Sequence, residues 1–84
     1  MADIDTSSLE KNIRDIVTRI MEIDPQRVGL DDHLVEDLGA DSMMVLEVMV
    51  HIDKAYHINI PEEDLVKMTT LRQTIEVVSR LVNK

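Results

Sequence analysis

The sequence predicts an all-α protein in which three longer helices and one short helix pack as an antiparallel four-helix bundle. Three segments repeat apolar residues at the spacing of an α-helix, and none shows the alternation of a half-buried strand. Proline, glycine and capping residues separate these segments and predict where each helix begins and ends. With 84 residues and no internal repeat, the chain is expected to form one small domain over residues 1–84.

The first helix is predicted from Leu9 to Ile23. Ser7 and Glu10 have the spacing of a capping box, in which each side chain accepts a hydrogen bond from a backbone amide of the other residue. Asp24-Pro25 predicts the end, because the residue before a proline is disfavoured in the helical conformation. The apolar residues of this helix form one narrow stripe: Leu9, Ile13, Ile16, Ile20 and Ile23.

A long loop is predicted between the first and second helices, over residues 24–41. The helical period is lost there, yet apolar residues recur at intervals that can attach the segment to a core: Val28, Leu30, Leu34, Val35 and Leu38. A loop of this length inside a small domain usually has a function or contains a short helical turn. The loop is therefore expected to be ordered, with turns at Gly29 and Gly39.

The second helix is predicted from Ser42 to Tyr56, with two different faces. The face expected to pack against the core carries Val45, Val48, Met49, Ile52 and Tyr56. The opposite face carries Met43, Leu46, Glu47, Val50 and Lys54. An outward apolar patch beside a glutamate predicts a docking surface for another protein. The alternative is that this patch packs against the preceding loop.

Two further helices are predicted in the last third of the chain. A short helix over residues 62–65 follows Pro61, because proline suits a first turn and acidic residues stabilise the positive end of a helix. The final helix is predicted to start near Thr70, which has capping-box spacing with Gln73. Its apolar stripe consists of Leu71, Ile75, Val78 and Val82.

Composition limits the classes of partner. Seventeen acidic residues against nine basic ones give a net charge of -8, which disfavours nucleic acids and anionic membranes. The charge favours proteins with basic patches, although it can also serve solubility alone. No run approaches the roughly 18 apolar residues of a membrane helix. The protein is therefore expected in the cytoplasm, without stable membrane association.

The chain has no cysteine, so any thiol chemistry must come from an attached cofactor. Its only aromatic residue is Tyr56, which leaves leucine, isoleucine, valine and six methionines to fill the core. Such a core is soft and can open around a guest.

Asp41-Ser42 is the pair of residues that points most directly to a function. Ser42 follows a glycine turn and begins a helix, where free amides and the helix dipole suit an added phosphate better than nucleophilic catalysis. A serine hydrolase would need a glycine two residues after the serine, and this chain has Met43-Met44 after Ser42 instead. By itself, the pair is better explained as an ordinary helix cap, and only its context in the chain favours the functional interpretation.

The segment Asp37-Leu38-Gly39-Ala40-Asp41-Ser42-Met43 resembles the phosphopantetheine attachment motif of acyl carrier proteins. The resemblance covers nearly the whole chain, through Ile60-Pro61-Glu62-Glu63 to Thr69-Thr70-Leu71. It implies a bundle of the acyl carrier type that is modified with 4'-phosphopantetheine from coenzyme A. Ser42 would be the attachment residue, while Asp41 would cap the helix and help to engage the transferase.

The resemblance also implies a monomeric carrier that is not itself an enzyme. Its partners would be a phosphopantetheinyl transferase and acyl-transferring and acyl-modifying enzymes with basic docking patches, in fatty acid, polyketide or related lipid biosynthesis. The residues expected to bind these partners are Met43, Leu46, Glu47, Val50, Glu62 and Glu63.

Two departures from the usual family pattern favour a specialised carrier over the general fatty-acid carrier. Met43 and Met44 follow the serine, where the family commonly has leucine and then a polar residue. The second helix also contains His51 and Lys54 beside only two acids. Its outward surface is therefore more apolar and less acidic than expected for the general carrier.

Other functions remain open at the level of the sequence. An aminoacyl or peptidyl carrier would share the serine and the bundle. A helical adaptor would bind one protein partner through Met43, Leu46 and Val50 and would need no cofactor.

Metal binding is the least supported alternative. The spacing of the acidic cluster does not match the ligands of a calcium-binding EF-hand loop. The three histidines lack a shared face or partner cysteines. The acidic cluster consists of Asp31, Asp32, Glu36, Asp37 and Asp41, and the histidines are His33, His51 and His57.

Overall fold

The computed structural model describes residues 6–83. This part of the chain contains four α-helices. They are α1 (Thr6–Met21), α2 (Ser42–Tyr56), α3 (Glu62–Leu65) and α4 (Leu71–Val82). A 3-10 turn, Pro25–Arg27, lies between α1 and α2. Residues 6–83 contain no β-strand, only an isolated bridge between His33 and Thr70. The all-α class, with three longer helices and one short helix, is confirmed.

The core lies where α1 packs against α2 and α4. Six of its apolar side chains are 0% exposed: Leu9, Ile13 and Val17 of α1, Ile52 of α2, and Leu71 and Val78 of α4. Fully burying a leucine, isoleucine or valine contributes about 1.5–3 kcal/mol relative to leaving it exposed. Packing between these three helices therefore holds the bundle together.

The buried face of α1 differs in detail from the predicted stripe. Val17, which the stripe omitted, is fully buried, whereas Ile16 and Ile20 are only partly buried. Leu9, Ile13 and Val17 follow one another at four-residue intervals, so they form the centre of the buried face. A core-facing helix buries a band wider than one stripe, and the isoleucines form its margin.

Both predicted ends of α1 were wrong by about one turn or less. Ser7 lies inside the helix and is not its N-cap, because the helix already includes Thr6. At the other end, Glu22 adopts the left-handed conformation with φ 57° and stops the helix before Ile23. The amide of Ile23 donates to the carbonyl of Thr18 at 3.1 Å, the long bond of a Schellman motif.

Arg14 of α1 attaches the first half of the 24–41 loop. Its guanidinium donates to the carbonyls of Pro25, at 3.2 Å, and Val28. It also pairs with Glu10 one helical turn away, at 3.4 Å. Asp24 does not end α1 but caps the 3-10 turn, since its carboxylate accepts from the amide of the second turn residue at 2.9 Å.

The second half of the loop is attached to the start of α4. The amide of Leu34 donates to the carbonyl of Thr69, and the amide of Arg72 donates to the carbonyl of Leu30, both at 2.9 Å. The Arg72 guanidinium also binds both carboxylate oxygens of Asp31, at 2.7 and 3.2 Å. The loop is therefore held by α1 on one side and α4 on the other.

Thr70 caps α4 as predicted, since its hydroxyl oxygen accepts from the amide of Gln73 at 3.2 Å. The return bond differs from a capping box, because the Gln73 side chain accepts from the amide of Thr69 at 3.1 Å instead of that of Thr70. The short α3 is joined to α4 by an ion pair. Asp64 is 5% exposed, and its Oδ1 lies 2.7 Å from Nη2 of Arg80.

The C-terminal end of α2 combines a left-handed cap with enclosed polar atoms. His57 has φ 55°, and both its amide and that of Ile58 donate to the carbonyl of Asp53. Tyr56 packs against the core with its hydroxyl enclosed. This hydroxyl and Oδ1 of Asp53 have no hydrogen-bond partner within residues 6–83.

Candidate attachment and docking site

The turn before α2 determines where Ser42 lies. Gly39 has φ 80°, a conformation that costs a residue with a Cβ roughly 1–2 kcal/mol. Its amide donates to the carbonyl of Val35 at 3.1 Å, and the amide of Ala40 donates to that of Leu34 at 2.9 Å. Ala40 is buried at 5% exposure, so the chain is attached to the core two residues before the exposed Ser42.

Asp41 is the N-cap of α2, as the sequence predicts. Its backbone is extended, and its carboxylate accepts from the amide of Met44 at 2.9 Å. Its carbonyl accepts from the amide of Val45 at 3.1 Å. Ser42 is the first helical residue, and its side chain is exposed to solvent.

The N-terminal end of α2 is suited to a negatively charged substituent on Ser42. The amides of Ser42 and Met43 donate to no protein acceptor in the described range. These amides and the positive end of the helix dipole typically stabilise a nearby anion by about 0.3–1 kcal/mol at an exposed site. The residues present therefore fit a phosphate ester on the serine hydroxyl.

The acidic residues of the loop bind its own backbone. Asp32 accepts from the amide of Gly29, and Asp37 accepts from the amide of His33, both at 2.7 Å. The His33 ring caps the next turn, because Nδ1 accepts from the amide of Glu36 at 3.1 Å. Residues 6–83 contain no group of three or more potential ligands that could hold a metal ion.

Asp31 forms the ion pair with Arg72 on the protein surface. The hydrogen bonds from Arg72 lower the pKa of Asp31 below its ordinary value of 3.8, outweighing the opposing effect of desolvation, and the charge of Arg72 lowers it further. The same hydrogen bonds raise the pKa of Arg72. The pair is thus fully charged at neutral pH.

The outward face of α2 is exposed, so the alternative in which it packs against the loop was wrong. The exposed fractions are 66% for Met43, 54% for Leu46 and 47% for Val50. Glu47 and Lys54 are exposed on the same helix. The opposite face is buried at Val48, Met49 and Ile52 and partly buried at Val45 and Tyr56, as predicted.

Three features of residue burial were not foreseen from the sequence. Val35 is 47% exposed, and Val66, directly after α3, is 74% exposed. Val35 was counted among the loop residues that attach to the core, but the short turn capped by His33 directs Leu34 inward instead. Glu62 and Glu63 are exposed, whereas the third acid of α3 is buried in its pair with Arg80.

Two surface cavities of the described residues lie away from the serine. One of about 510 Å³ lies between α1 and the 3-10 turn, with Arg14 and Pro25 in its lining. Another of about 410 Å³ includes Arg27 and Asp37. Neither includes Ser42 or Asp41, so these cavities do not extend the site.

Comparison with known proteins identifies the family. The family described as "Phosphopantetheine attachment site" matches residues 11–78, which include the Gly39 turn, the Asp41 cap and all of α2. The chain belongs to the acyl carrier protein family. It is therefore a phosphopantetheine-bearing acyl carrier, and neither the peptidyl carrier nor the adaptor alternative is favoured.

Individual relatives agree with this assignment along most of the chain. An acyl carrier protein of Campylobacter concisus is 30% identical over 71 residues, covering 84% of this chain and 92% of that one. The "Polyketide-8 synthase acyl carrier protein 2" of Streptomyces avermitilis is 32% identical over 80 residues, covering 94% and 92%. Relatives of similar identity thus include a polyketide synthase carrier.

A solved structure confirms the fold of the carrier. The solution structure of the apo doublet acyl carrier protein from prodigiosin biosynthesis superposes with a TM-score of 0.79 at 18% sequence identity. The superposition covers 93% of this chain and 38% of the doublet chain. None of the helices within residues 6–83 combines the length and apolar character needed to cross a membrane.

Proposed function

We propose that this acyl carrier is modified on Ser42. The observation that carries the proposal is the exposed serine at the first position of α2, beside two amides that bind no other acceptor within residues 6–83. A phosphodiester on its Oγ would lie near the positive end of a long helix. When attached, the 4'-phosphopantetheine arm supplies a distal thiol that carries acyl groups as thioesters.

Asp41 is proposed to have two roles. Its carboxylate caps α2 and thereby orients the first turn, in which Ser42 lies. It is also exposed, which supports a role in recognition by the magnesium-dependent phosphopantetheinyl transferase. The cap requires only a hydrogen-bond acceptor, whereas recognition of a negative charge requires the carboxylate.

The outward face of α2 is proposed as the docking surface for the transferase and for acyl-transferring and acyl-modifying enzymes. Met43, Leu46 and Val50 supply exposed apolar area, and Glu47 supplies an exposed acid. Glu62 and Glu63 add two exposed acids at α3, which suit a partner with a basic patch.

The pathway is proposed to be a specialised one, such as polyketide or modified fatty-acid synthesis. The exposed methionine beside the serine, together with His51 and Lys54 of α2, supports this proposal. The similarity to a polyketide synthase carrier is compatible with it. Efficient replacement of a host's essential fatty-acid carrier by this protein would contradict it.

Four further expectations stay predictions. These are that residues 1–84 form a single domain, that the carrier is monomeric, that it works in the cytoplasm, and that it has no catalytic activity of its own.

The attachment site can be tested by intact mass. Wild type, Ser42→Ala and Ser8→Ala are incubated with coenzyme A, magnesium and a broad-specificity phosphopantetheinyl transferase. We expect one phosphopantetheine addition to wild type and Ser8→Ala and none to Ser42→Ala. Ser8 is an exposed serine of α1 and serves as the matched control. Addition to Ser42→Ala would place the attachment elsewhere.

A further inference from the structure

The outward face of α2 carries two opposite charges in line with its exposed apolar side chains. Met43, Glu47, Val50 and Lys54 follow one another at intervals of four, three and four residues, so they project within one narrow sector of the helix. These four residues are called the α2 stripe below. All four are exposed, and Leu46 widens the stripe on one side.

The two charges of the stripe do not neutralise each other. Glu47 and Lys54 are seven residues apart, or about 10 Å along the helix axis. Ion pairs along a helix form at three or four residues, not at seven. Within residues 6–83, neither side chain forms an ion pair with any other residue. In a protein of net charge -8, the stripe therefore presents both an acid and a cation, with Val50 between them.

We propose, building on the carrier function proposed above, that the α2 stripe docks on an enzyme surface of mixed charge. That surface offers an apolar pocket between one cationic and one acidic side chain that are about 10 Å apart. The cation pairs with Glu47, and the acid pairs with Lys54. A partner surface that is uniformly basic leaves Lys54 opposed by a like charge.

The opposite charges at the two ends of the stripe determine the orientation in which the carrier binds its partner. An apolar stripe alone accepts a partner surface in either of two orientations related by a half-turn, whereas reversing a charged stripe brings like charges together. Orientation is important because Ser42 directly precedes Met43 at one end of the stripe. Only one of the two orientations directs an arm on Ser42 toward a fixed active-site entrance.

The size of the stripe suits a transient complex with an enzyme better than a stable dimer of the carrier. A standard protein interface engages about 20–30 residues on each side. The stripe and Leu46 offer five side chains on one helix. A contact of this size permits repeated release, which a carrier that serves several enzymes requires.

The test uses three short stapled helical peptides as defined probes. They share a central leucine patch and differ only at two flanking positions seven residues apart, which hold Lys and Glu, two Lys, or two Glu. Binding to the phosphopantetheine-loaded carrier is measured from the NMR shifts of the Met43 and Val50 methyl groups. We expect the Lys/Glu peptide to bind about fivefold more tightly than either like-charged peptide.

Charge reversal in the carrier should change this preference. Lys54→Glu makes the stripe acidic and should favour the Lys/Lys peptide. Glu47→Lys makes it basic and should favour the Glu/Glu peptide. Lys11→Glu in α1 changes the net charge as much as Lys54→Glu, but lies outside the stripe, and should leave the preference for the Lys/Glu peptide unchanged.

Two results would overturn the proposal. Equal or tighter binding of the Lys/Lys peptide to wild type would mean that the overall negative charge, not the stripe, attracts the partner. Methyl shifts of Met43 and Val50 that depend on carrier concentration without peptide would identify a second copy as the occupant. Phosphopantetheine addition to wild type and Ser42→Ala, measured by intact mass, tests the carrier function separately. A loaded carrier that does not discriminate between the peptides contradicts the docking proposal alone.

Discussion

Asp41 combines two roles that can be tested separately: it caps α2, and it is proposed to be recognised by the transferase. Its carboxylate caps α2 through the amide of Met44 at 2.9 Å, and an asparagine side chain can accept the same bond. Asparagine is uncharged, so it cannot replace Asp41 where a transferase recognises the negative charge. Substitutions at this residue can therefore separate helix stability from enzyme recognition.

Asp41→Ala is expected to lower the free energy of unfolding by about 1 kcal/mol, because the amide of Met44 loses its acceptor. Asp41→Asn should leave the free energy of unfolding within about 0.3 kcal/mol of the wild-type value, because asparagine caps a helix about as well as aspartate. We expect both variants to be loaded more slowly. Urea unfolding measures the first effect, and the rate of phosphopantetheine addition measures the second. Normal loading of Asp41→Asn would show that the charge is not recognised.

The pair between Asp31 and Arg72 makes a prediction about pH. Because Arg72 lowers the pKa of Asp31, the stabilisation from this pair is present above the ordinary value of 3.8 and is lost as the pH falls through the lower, folded-state value. In NMR titration, Asp31 should have a midpoint below 3.8 in wild type. Arg72→Gln should raise that midpoint toward the ordinary value. An unchanged midpoint would mean that the pair does not persist in solution.

At the scale of elements, α2 shows what local sequence can specify. Its limits, Ser42 and Tyr56, were predicted correctly because Asp41 is a strong cap signal and the two faces of the helix differ clearly. The end of α1 was not predicted, because Glu22 in the left-handed conformation carries no such signal. Non-glycine residues rarely adopt it, so the sequence pointed instead to the proline three residues later.

The left-handed end of α2 offers a stabilising substitution. His57 has φ 55°, which costs a residue with a Cβ roughly 1–2 kcal/mol and costs glycine nothing. His57→Gly is therefore expected to raise the free energy of unfolding by about 0.5–1 kcal/mol, after allowance for the more flexible unfolded chain. Ala55→Gly, inside the same helix, should instead lower it by about 1 kcal/mol. Denaturant unfolding of both variants measures whether the two changes in the free energy of unfolding have opposite signs.

At the scale of the whole molecule, contacts between distant segments determine how the elements meet. Asp31 and Arg72 are 41 residues apart in the chain, and Asp64 and Arg80 join α3 to α4. A single sequence identifies these charges but not their pairing, because every acid has several candidate partners. The fold class and the exposed face of α2 could be predicted from the sequence, whereas the ion pairs that attach the loop and α3 could not.

The pair between Asp64 and Arg80 should matter for stability because one partner is buried. Arg80→Met leaves Asp64, which is 5% exposed, without its 2.7 Å partner. Since Arg80 is itself more than half exposed, we expect a loss of about 1–2 kcal/mol, at the lower end for a charged hydrogen bond. Combining it with Asp64→Asn should recover part of this loss. Chemical denaturation of both single variants and the double variant measures the coupling, and strictly additive losses would contradict it.

Tyr56, a partly buried side chain with an enclosed hydroxyl, gives the carrier an optical reporter of its own. With no tryptophan or phenylalanine in the sequence, the near-ultraviolet spectrum comes from this one ring, which packs against the core at the end of α2. Its hydroxyl is enclosed and has no hydrogen-bond partner within residues 6–83, so a polar group or water that enters there changes the ring's surroundings directly. Tyrosine fluorescence and near-ultraviolet circular dichroism can thus test, without any added label, whether an acyl chain enters the core.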